Sequence, residues 1–141
     1  MANDWNTQVV NEFRANGGQV GGNFAGAPLT LLHHKGRKSG KDYVAPVMYQ
    51  ADDADQKTIY VFASYAGAPQ NPAWYDNLTA AGKGRVEVGR DEYDVEVREV
   101  TGADRDRIYA EQVRRYPGFG EYEEKTAGVR TIPVLALTWA A

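Results

Sequence analysis

Residues 29–51 read LTLLHHKGRKSGKDYVAPVMYQA, in which two apolar, β-prone runs lie on either side of a short basic turn. The runs cover 29–34 and 43–51, and the second is rich in the Val and Tyr residues typical of strands. Between them, four cations fall within one short stretch: Lys35, Arg37, Lys38 and Lys41. The pattern predicts a β-hairpin with a positively charged tip, and therefore a fold built on antiparallel strands.

The basic turn suits an anionic ligand. A glycine-bounded turn that contains Ser39 offers backbone N–H groups, a hydroxyl and fixed charge to phosphate or carboxylate oxygens. An ordinary solvated hairpin turn would need the same glycines, Gly36 and Gly40, so the turn alone leaves both interpretations open.

Composition excludes several classes of protein. The chain has 141 residues, 43% of them hydrophobic, and a formal net charge of −3. A nucleic-acid binder needs an extended basic face, whereas the basic excess here is local. With no Cys and only two His, disulfides, thiolate catalysis and zinc clusters are excluded. Because His33 and His34 alternate along a strand, they point to opposite faces and are predicted to be structural or solvent-facing rather than a metal pair. Redox chemistry would therefore require a bound cofactor.

The rest of the chain alternates helical and strand-like segments. Trp5, Val9, Val10 and Phe13 recur at helical spacing and predict a helix over 4–16, followed by a Gly-rich entry loop to residue 28. A third strand is predicted over 58–64. Asn71 is expected to cap a short helix with Pro72 at its first position.

The C-terminal half continues the pattern. Alternating residues predict a hairpin of strands 85–89 and 93–100. Thr101 and Asp104 resemble a capping box that opens a helix through Arg115. A short helix over 121–126 and a strand over 132–139 complete the chain.

These elements predict an α+β fold. Six short strands interrupted by helices do not form the regular alternation of a Rossmann fold, and no G-x-G-x-x-G opens a helix. A small, mostly antiparallel barrel with helices packed outside fits better, as a single domain over 1–141. No apolar run reaches the roughly 20 residues of a spanning helix, and the N-terminus lacks the layout of a signal peptide. We expect a cytoplasmic protein without stable membrane insertion.

Three segments together resemble the deazaflavin (F420)-dependent nitroreductase family. They are GRKSG with VAPVMY after it (36–49), ASYAGAPQNPAWYDNL (63–78), and YPGFGEY (116–122) followed by RTIPV (130–134). The resemblance implies a split β-barrel related to flavin reductases and pyridoxamine oxidases. It also implies coenzyme F420 as the cofactor.

The resemblance further implies site residues. Arg37, Lys38 and Ser39 would contact the coenzyme phosphate or its glutamate tail. The deazaflavin ring and its linker would be lined by two further groups of residues, Tyr43, Val44, Ala45, Pro46, Val47 and Met48, and Phe62, Ala63, Ser64, Tyr65, Ala73, Trp74, Tyr75, Asp76 and Asn77. The substrate pocket would include Tyr116, Phe119 and Tyr122.

The chain departs from its relatives at three of these positions. Relatives often carry Arg at Tyr43 and Lys at Tyr65, and they tend to have Tyr at Phe119. Two cations and one hydroxyl are thus replaced, which raises the question of whether Lys35 and Lys41 compensate.

The implied activity is hydride transfer from reduced F420 to a small hydrophobic acceptor such as a quinone, an activated enone or a nitroaromatic. Tyr116, Tyr122 or Ser64 would orient or donate a proton. An FMN-dependent oxidoreductase of the same fold and a non-catalytic carrier of a flavin or lipophilic ligand remain alternatives, and a homodimer is left open.

Overall fold

The computed structural model describes residues 2–21 and 28–140, without the side chains of 2–6 and 66. The predicted side-chain role of Trp5 and part of the predicted entry loop therefore lie outside the described residues. Four helices are present in the described chain: α1 (Ala2–Ala15), α2 (Ala73–Ala81), α3 (Gly102–Arg115) and α4 (Gly118–Thr126). The strands are β1 (Leu29–Lys35), β2 (Asp42–Ala51), β3 (Thr58–Phe62), β4 (Lys83–Val88), β5 (Asp91–Val100) and β6 (Val134–Trp139).

The six strands close into a barrel in the order β1-β2-β3-β6-β5-β4, with every pair antiparallel. The predicted hairpins β1–β2 and β4–β5 form as expected, and β1 pairs with β4 to complete the circle. The prediction of an α+β barrel with external helices is confirmed. That the whole chain is one domain stays a prediction.

Alternation along the strands creates two kinds of core. Inward-facing side chains such as Leu32, Val61 and Leu137 fill the barrel, and α2 closes one end with Trp74 and Leu78. Apolar residues that point outward are covered by helices, because a half-buried strand presents opposite faces to the two sides of the sheet. The barrel thus has an inner core and two outer ones.

Each outer core lies beneath helices. Val9 and Phe13 of α1 pack on Leu29 and Leu31 of β1. The helices α3 and α4 pack on the outer face of β3 and β6. The segment of β2 between these two coverings is only half-buried from 44 to 49.

A buried ionic cluster fixes α1 to the barrel. Glu87 of β4, only 7% exposed, accepts hydrogen bonds from Nε and Nη2 of Arg14 at 3.1 and 2.7 Å. The same carboxylate lies 2.6 Å from Nε2 of His33. These contacts hold the pKa of Glu87 below its ordinary value of 4.5, chiefly through the Arg14 hydrogen bonds. His33 thus takes part in the contacts that join α1 to the barrel.

Some local predictions were wrong. Asn71 does not cap α2: Pro72 occupies the N-cap position, and the Asn71 amide oxygen instead accepts from Arg130. Thr101 precedes α3 without a side-chain capping bond, so the capping box does not form. The third strand ends at Phe62, because the chain then turns into a 3₁₀ turn at Tyr65–Gly67.

No helix among the described residues is long and apolar enough to cross a membrane.

Candidate coenzyme cleft

The barrel lacks strand pairing along part of one edge of β2. Residues 42–48 pair with β1, but only Tyr49, Gln50 and Ala51 pair with β3. In the described chain, the β3-facing backbone edge of 43–48 therefore has no strand partner. Pro46, which lacks an N–H, lies in this stretch, as is typical of edge positions. By the register of β2 and β3, 43–48 runs opposite the segment that follows Phe62, and we call the unpaired space between 43–48 and 63–77 the cleft.

The basic turn lies at one end of the cleft, beside the first turn of α2. A pocket of about 270 Å³ is lined by His34, Gly36, Arg37, Lys38, Ser39, Tyr43, Ala73 and Asn77. Six of these are predicted coenzyme-binding residues, so the structure brings together the turn and the helix that the sequence motifs place 34 or more residues apart. The positive end of the α2 dipole adds to the cationic character of this pocket.

Charge in the pocket is only partly neutralised. Nη1 of Arg37 lies 3.7 Å from Oδ2 of Asp76, and both side chains are nearly half exposed. Across 2–21 and 28–140, no carboxylate pairs with Lys38 or Lys41. Lys35 approaches Asp42 at 4.0 Å. The turn therefore keeps at least two cations available for a ligand's anionic groups.

Asn77 connects the turn to the barrel. Its Oδ1 accepts from the Arg37 backbone N–H at 3.0 Å, and its Nδ2 lies 2.9 Å from Nδ1 of His34. The backbone donor fixes the orientation of the amide, so Nδ2 must donate to His34. Burial lowers the pKa of His34, which is consistent with a neutral ring that accepts at Nδ1. The His34 ring also stacks on Tyr43 at 5.5 Å.

The opposite wall of the cleft is the connection between β3 and α2. Ser64 is buried and Tyr65 is 53% exposed. Tyr65 adopts a φ of +46°, a left-handed conformation that is unfavourable for a bulky side chain. Strained residues of this kind cluster at functional sites. Gly67 lies against α4, where an added Cβ would come within 3.5 Å of the Tyr122 Cα.

Arg130 holds this wall in place, a role that sequence reasoning missed. Nε donates to the carbonyl of Ala68 at 3.1 Å, and Nη2 donates to the carbonyl of Ser64 at 3.0 Å. Nη1 donates to the carbonyl of Ala63 at 3.1 Å and to Oδ1 of Asn71 at 2.8 Å. The RTIPV motif contains this residue, but nothing in its spacing reveals that its partners lie 59 to 67 residues earlier.

The predicted lining residues of β2 divide between two faces. Ala45 and Val47 pack against the barrel interior, whereas Val44 and Met48 point outward toward α1. Met48 also contacts the core under α3 and α4. A ligand in the cleft would therefore contact the backbone edge of β2. Side chains from the inner face of β2 would line one rim of the cleft, and side chains from the outer face would line the other.

Several predicted coenzyme residues have other partners. Trp74 is buried in the barrel core, and Phe62 packs edge-on against Phe119 under α4. Tyr75 turns toward β5, where its hydroxyl donates to Oε1 of Glu99 at 2.6 Å. Burial and this hydrogen bond raise the pKa of Tyr75 to about 12. Coenzyme contacts by these side chains stay predictions.

The late aromatic segment flanks the outer rim. Tyr116 and Tyr122 are half-buried and contact the core beneath α3 and α4. Phe119 is 8% exposed, with its ring edge-on to Phe62 and Tyr122. Phe119 is thus a packing residue here, and its contact with a substrate stays a prediction.

A second cavity adjoins the pocket at the same end of the barrel. It measures about 900 Å³ and shares His34 and Tyr43 with the smaller pocket. Its cations, Lys35, Lys83 and Arg85, are accompanied by Asp42, Asp94 and Glu96. Among the described residues no group of three or more His, Cys, Asp or Glu is arranged to hold a metal ion.

Comparison with known proteins identifies the family. The family model for F420H(2)-dependent quinone reductases matches residues 5–138. The chain belongs to the F420H(2)-dependent quinone reductase family. Its members use coenzyme F420, so the chain is an F420-dependent oxidoreductase, and the resemblance seen in the motifs is confirmed.

Individual relatives agree with this assignment. The chain is 34% identical over 110 residues to a putative F420H(2)-dependent quinone reductase of Mycobacterium tuberculosis strain H37Rv, covering 78% of this chain and 88% of the relative. A solved F420-H2 dependent reductase is 32% identical with a TM-score of 0.68, covering 78% of this chain and 93% of that one. A solved structure described as a domain-swapped dimer is 30% identical with a TM-score of 0.69, covering 97% and 99%.

The cleft fits the family's coenzyme on its own geometry. The pocket of about 270 Å³ is too small for a whole cofactor but suits an anionic group next to free cations and a helix N-terminus. The unpaired β2 edge can supply the hydrogen bonds that a planar heterocycle requires. These features match the two parts of a deazaflavin coenzyme, a polar ring and an anionic tail.

Proposed function

We propose that this F420-dependent reductase binds the coenzyme in the cleft and reduces a small hydrophobic, electron-poor acceptor: a quinone, an activated enone or a nitroaromatic. The observation that carries the proposal is the unpaired edge of 43–48 beside the basic pocket. In a fully paired antiparallel ladder the backbone N–H and C=O groups bond to the neighbouring strand. An unpaired edge leaves these groups free to bond to a flat ring.

Different residues would bind the tail and the ring of the coenzyme. Arg37, Lys38 and Ser39 would hold the phosphate or glutamate tail, with Asn77 keeping the turn in register through its bond to the Arg37 backbone. The β2 edge would hold the ring against the wall that contains Ser64. When bound and reduced, the deazaflavin supplies the hydride that the acceptor takes up.

The acceptor would lie at the outer rim of the cleft. Val44 and Met48 offer an apolar surface there, between α1 and the α3–α4 pair. Such a surface favours a hydrophobic substrate and excludes water from the reacting planes. Tyr116, Tyr122 and Ser64 provide the hydroxyls that would orient or donate the proton.

The test combines binding with turnover. Purified apoprotein is titrated with F420 and, separately, with FMN, and F420H2 oxidation is then followed with a naphthoquinone, a cyclic enone and a nitroaromatic. Saturable binding of F420 in preference to FMN, with oxidation by at least one acceptor, would support the proposal. Preference for FMN would assign the flavin alternative, and binding without turnover would favour a carrier.

The proton donor can be separated from the packing residues. Tyr122→Phe, Tyr116→Phe and Ser64→Ala each remove one hydroxyl, and the donor's variant should lower kcat while leaving the F420 Kd unchanged. Tyr93→Phe is the matched control, because Tyr93 stacks on Trp139 at 4.3 Å within the barrel. If none of the three variants differs from this control, the proton comes from solvent.

A homodimer is part of the proposal. The solved structure described as a domain-swapped dimer aligns with nearly the whole of this chain, which supports a homodimer here. Light scattering coupled to size exclusion measures the mass in solution. A mass of one chain at all concentrations would remove the dimer from the proposal.

A further inference from the structure

Arg130 grips the β3–α2 connection on both sides of its 3₁₀ turn. Its acceptors are the carbonyls of Ala63 and Ser64 before the turn, and the Ala68 carbonyl and the Asn71 side chain after it. Four of the five guanidinium N–H groups are thereby used. The contacts fix the two ends of the segment that forms one wall of the cleft.

The residue enclosed by these contacts is Tyr65. Among the described residues it is the one non-glycine with a positive φ. An isolated chain would relax this residue toward a β or right-handed conformation. The turn's own bonds, from Gly67 N–H to the Ser64 carbonyl and from Ala68 N–H to the Tyr65 carbonyl, are short-range. Restraints from outside the turn are therefore needed to keep Tyr65 where it is, and Arg130 supplies one, beside the packing of Gly67 against α4.

Charge pairing does not explain the residue. Over the described ranges, 2–21 and 28–140, Arg130 makes no salt bridge, and its hydrogen-bond acceptors are neutral oxygens. A planar fork can reach acceptors in several directions at once, whereas a lysine ammonium is a point donor. The arrangement depends on the planar shape of the guanidinium, which positive charge alone would not supply.

We propose that Arg130 is a positioning residue for coenzyme binding, which holds 63–71 in the conformation that presents Ser64 and Tyr65 to the cleft. The inference rests on the proposed placement of F420. The segment that follows α4 would thus help to shape the cleft, whose other parts come from β2, β3 and α2.

The test uses Arg130→Ala and Arg130→Lys, with Arg107→Ala as the matched control. Arg107 is an exposed arginine on α3 whose Nη2 lies 3.8 Å from Asp104. The F420 Kd is measured by fluorescence titration, and hydrogen exchange of the apoprotein is followed in peptides that cover 63–71. Circular dichroism checks the fold of each variant.

For Arg130→Ala we expect the F420 Kd to rise by about tenfold or more, the equivalent of losing one or two charge-assisted hydrogen bonds. Exchange should accelerate in 63–71 and stay unchanged in the barrel strands. Arg130→Lys should resemble the alanine variant, because charge without the fork cannot hold both ends. Millimolar ethylguanidinium should restore part of the affinity of Arg130→Ala, which a general loss of stability would not allow.

Two results overturn the inference while wild type still binds F420. One is a folded Arg130→Ala variant whose Kd and exchange match those of Arg107→Ala. The other is an Arg130→Lys variant with wild-type affinity, which also decides the matter if the alanine variant does not fold. Failure of wild type itself to bind F420 would refute the proposed function and this inference together.

Discussion

Replacing Arg37 and Lys38 together with Ala tests the basic turn as the anchor of the coenzyme. The exchange removes two positive charges but leaves the backbone of the turn intact. The turn is closed by Gly36 N–H to the Lys41 carbonyl at 2.8 Å, and the backbone N–H of Arg37 donates to Asn77 at 3.0 Å. Alanine preserves both bonds, so a change in affinity reports on charge rather than on folding.

The expected magnitude follows from exposure and distance. A unit charge about 4 Å from an anion contributes about 1 kcal/mol of attraction in water. The water value applies here because the side chains of Arg37 and Lys38 are exposed. Arg37 contributes less because Asp76 lies 3.7 Å from its Nη1 and partly neutralises it. The sum is about 1–2 kcal/mol, which corresponds to a rise in the F420 Kd of roughly five- to thirtyfold.

The assay is fluorescence titration of the apoprotein at low and at high ionic strength. Because the lost contacts are exposed, the difference between wild type and variant should shrink as salt is added. Lys57→Ala with Arg107→Ala is the matched control: it removes the same net charge, and Arg107 also has a carboxylate at 3.8 Å. The control should leave Kd nearly unchanged.

Two outcomes refute the reasoning. An unchanged Kd at low ionic strength would remove the turn from the site. An equal loss in the control pair would show that net charge alone governs affinity, and that the location of the cations does not matter.

Two further predictions concern a carboxylate beside the basic turn and a carboxylate that fixes α1 to the barrel. Asp76→Asn removes a carboxylate beside Arg37 and should tighten F420 binding by about two- to threefold, since repulsion at roughly 6 Å is worth about 0.5 kcal/mol after screening; titration at low salt checks it, and weaker binding would contradict it. Glu87→Gln should lower the free energy of unfolding at pH 7 by about 1–2 kcal/mol, because it weakens the ion pair with Arg14 and changes the hydrogen bond with His33. The pKa of Glu87 is lowered by folding, so its contribution is present above its ordinary 4.5 and is lost as the pH falls below that value. Urea unfolding at pH 7 and in acid should therefore show a difference between wild type and variant that narrows in acid, and a difference independent of pH would contradict the assignment.

Element identity was predictable wherever the pattern was local. The β1–β2 hairpin lies within one residue of its predicted bounds, because alternation and the glycine turn are both short-range signals. Boundaries near prolines and glycines shifted: α4 begins at Gly118 rather than Glu121. The predicted Asn71 cap is absent because the Asn71 amide oxygen accepts from Arg130, and a donor from a distant segment has no signature in the local sequence.

The candidate site was partly predictable. The motif residues of the turn and of α2 do line one pocket. Hydrophobic periodicity could not reveal that the Asn77 amide hydrogen-bonds to Arg37 and His34. Nor could it reveal that the Tyr75 hydroxyl hydrogen-bonds to Glu99. Those contacts depend on which face of α2 meets the barrel, and the adjacent aromatic residues Trp74 and Tyr75 are both candidates for burial there.

By itself, the sequence determined which kinds of chemical site the protein can form. A chain without Cys, with two His and a single basic turn can bind an anion and use a bound redox cofactor, but it has no thiolate and lacks the Cys and His residues of a zinc cluster. It also determined the order of strands and helices, since hydrophobic period and turn residues act over a few positions.

Only the tertiary structure decided where β2 parts from β3, how β1 meets β4, and that Arg130 restrains a turn more than 60 residues earlier in the chain. Each of these is a contact between distant segments, and its partner is selected by the geometry of the closed barrel. Local propensity carries no information about that selection, which is why the cleft is a property of the fold and its basic end a property of the sequence.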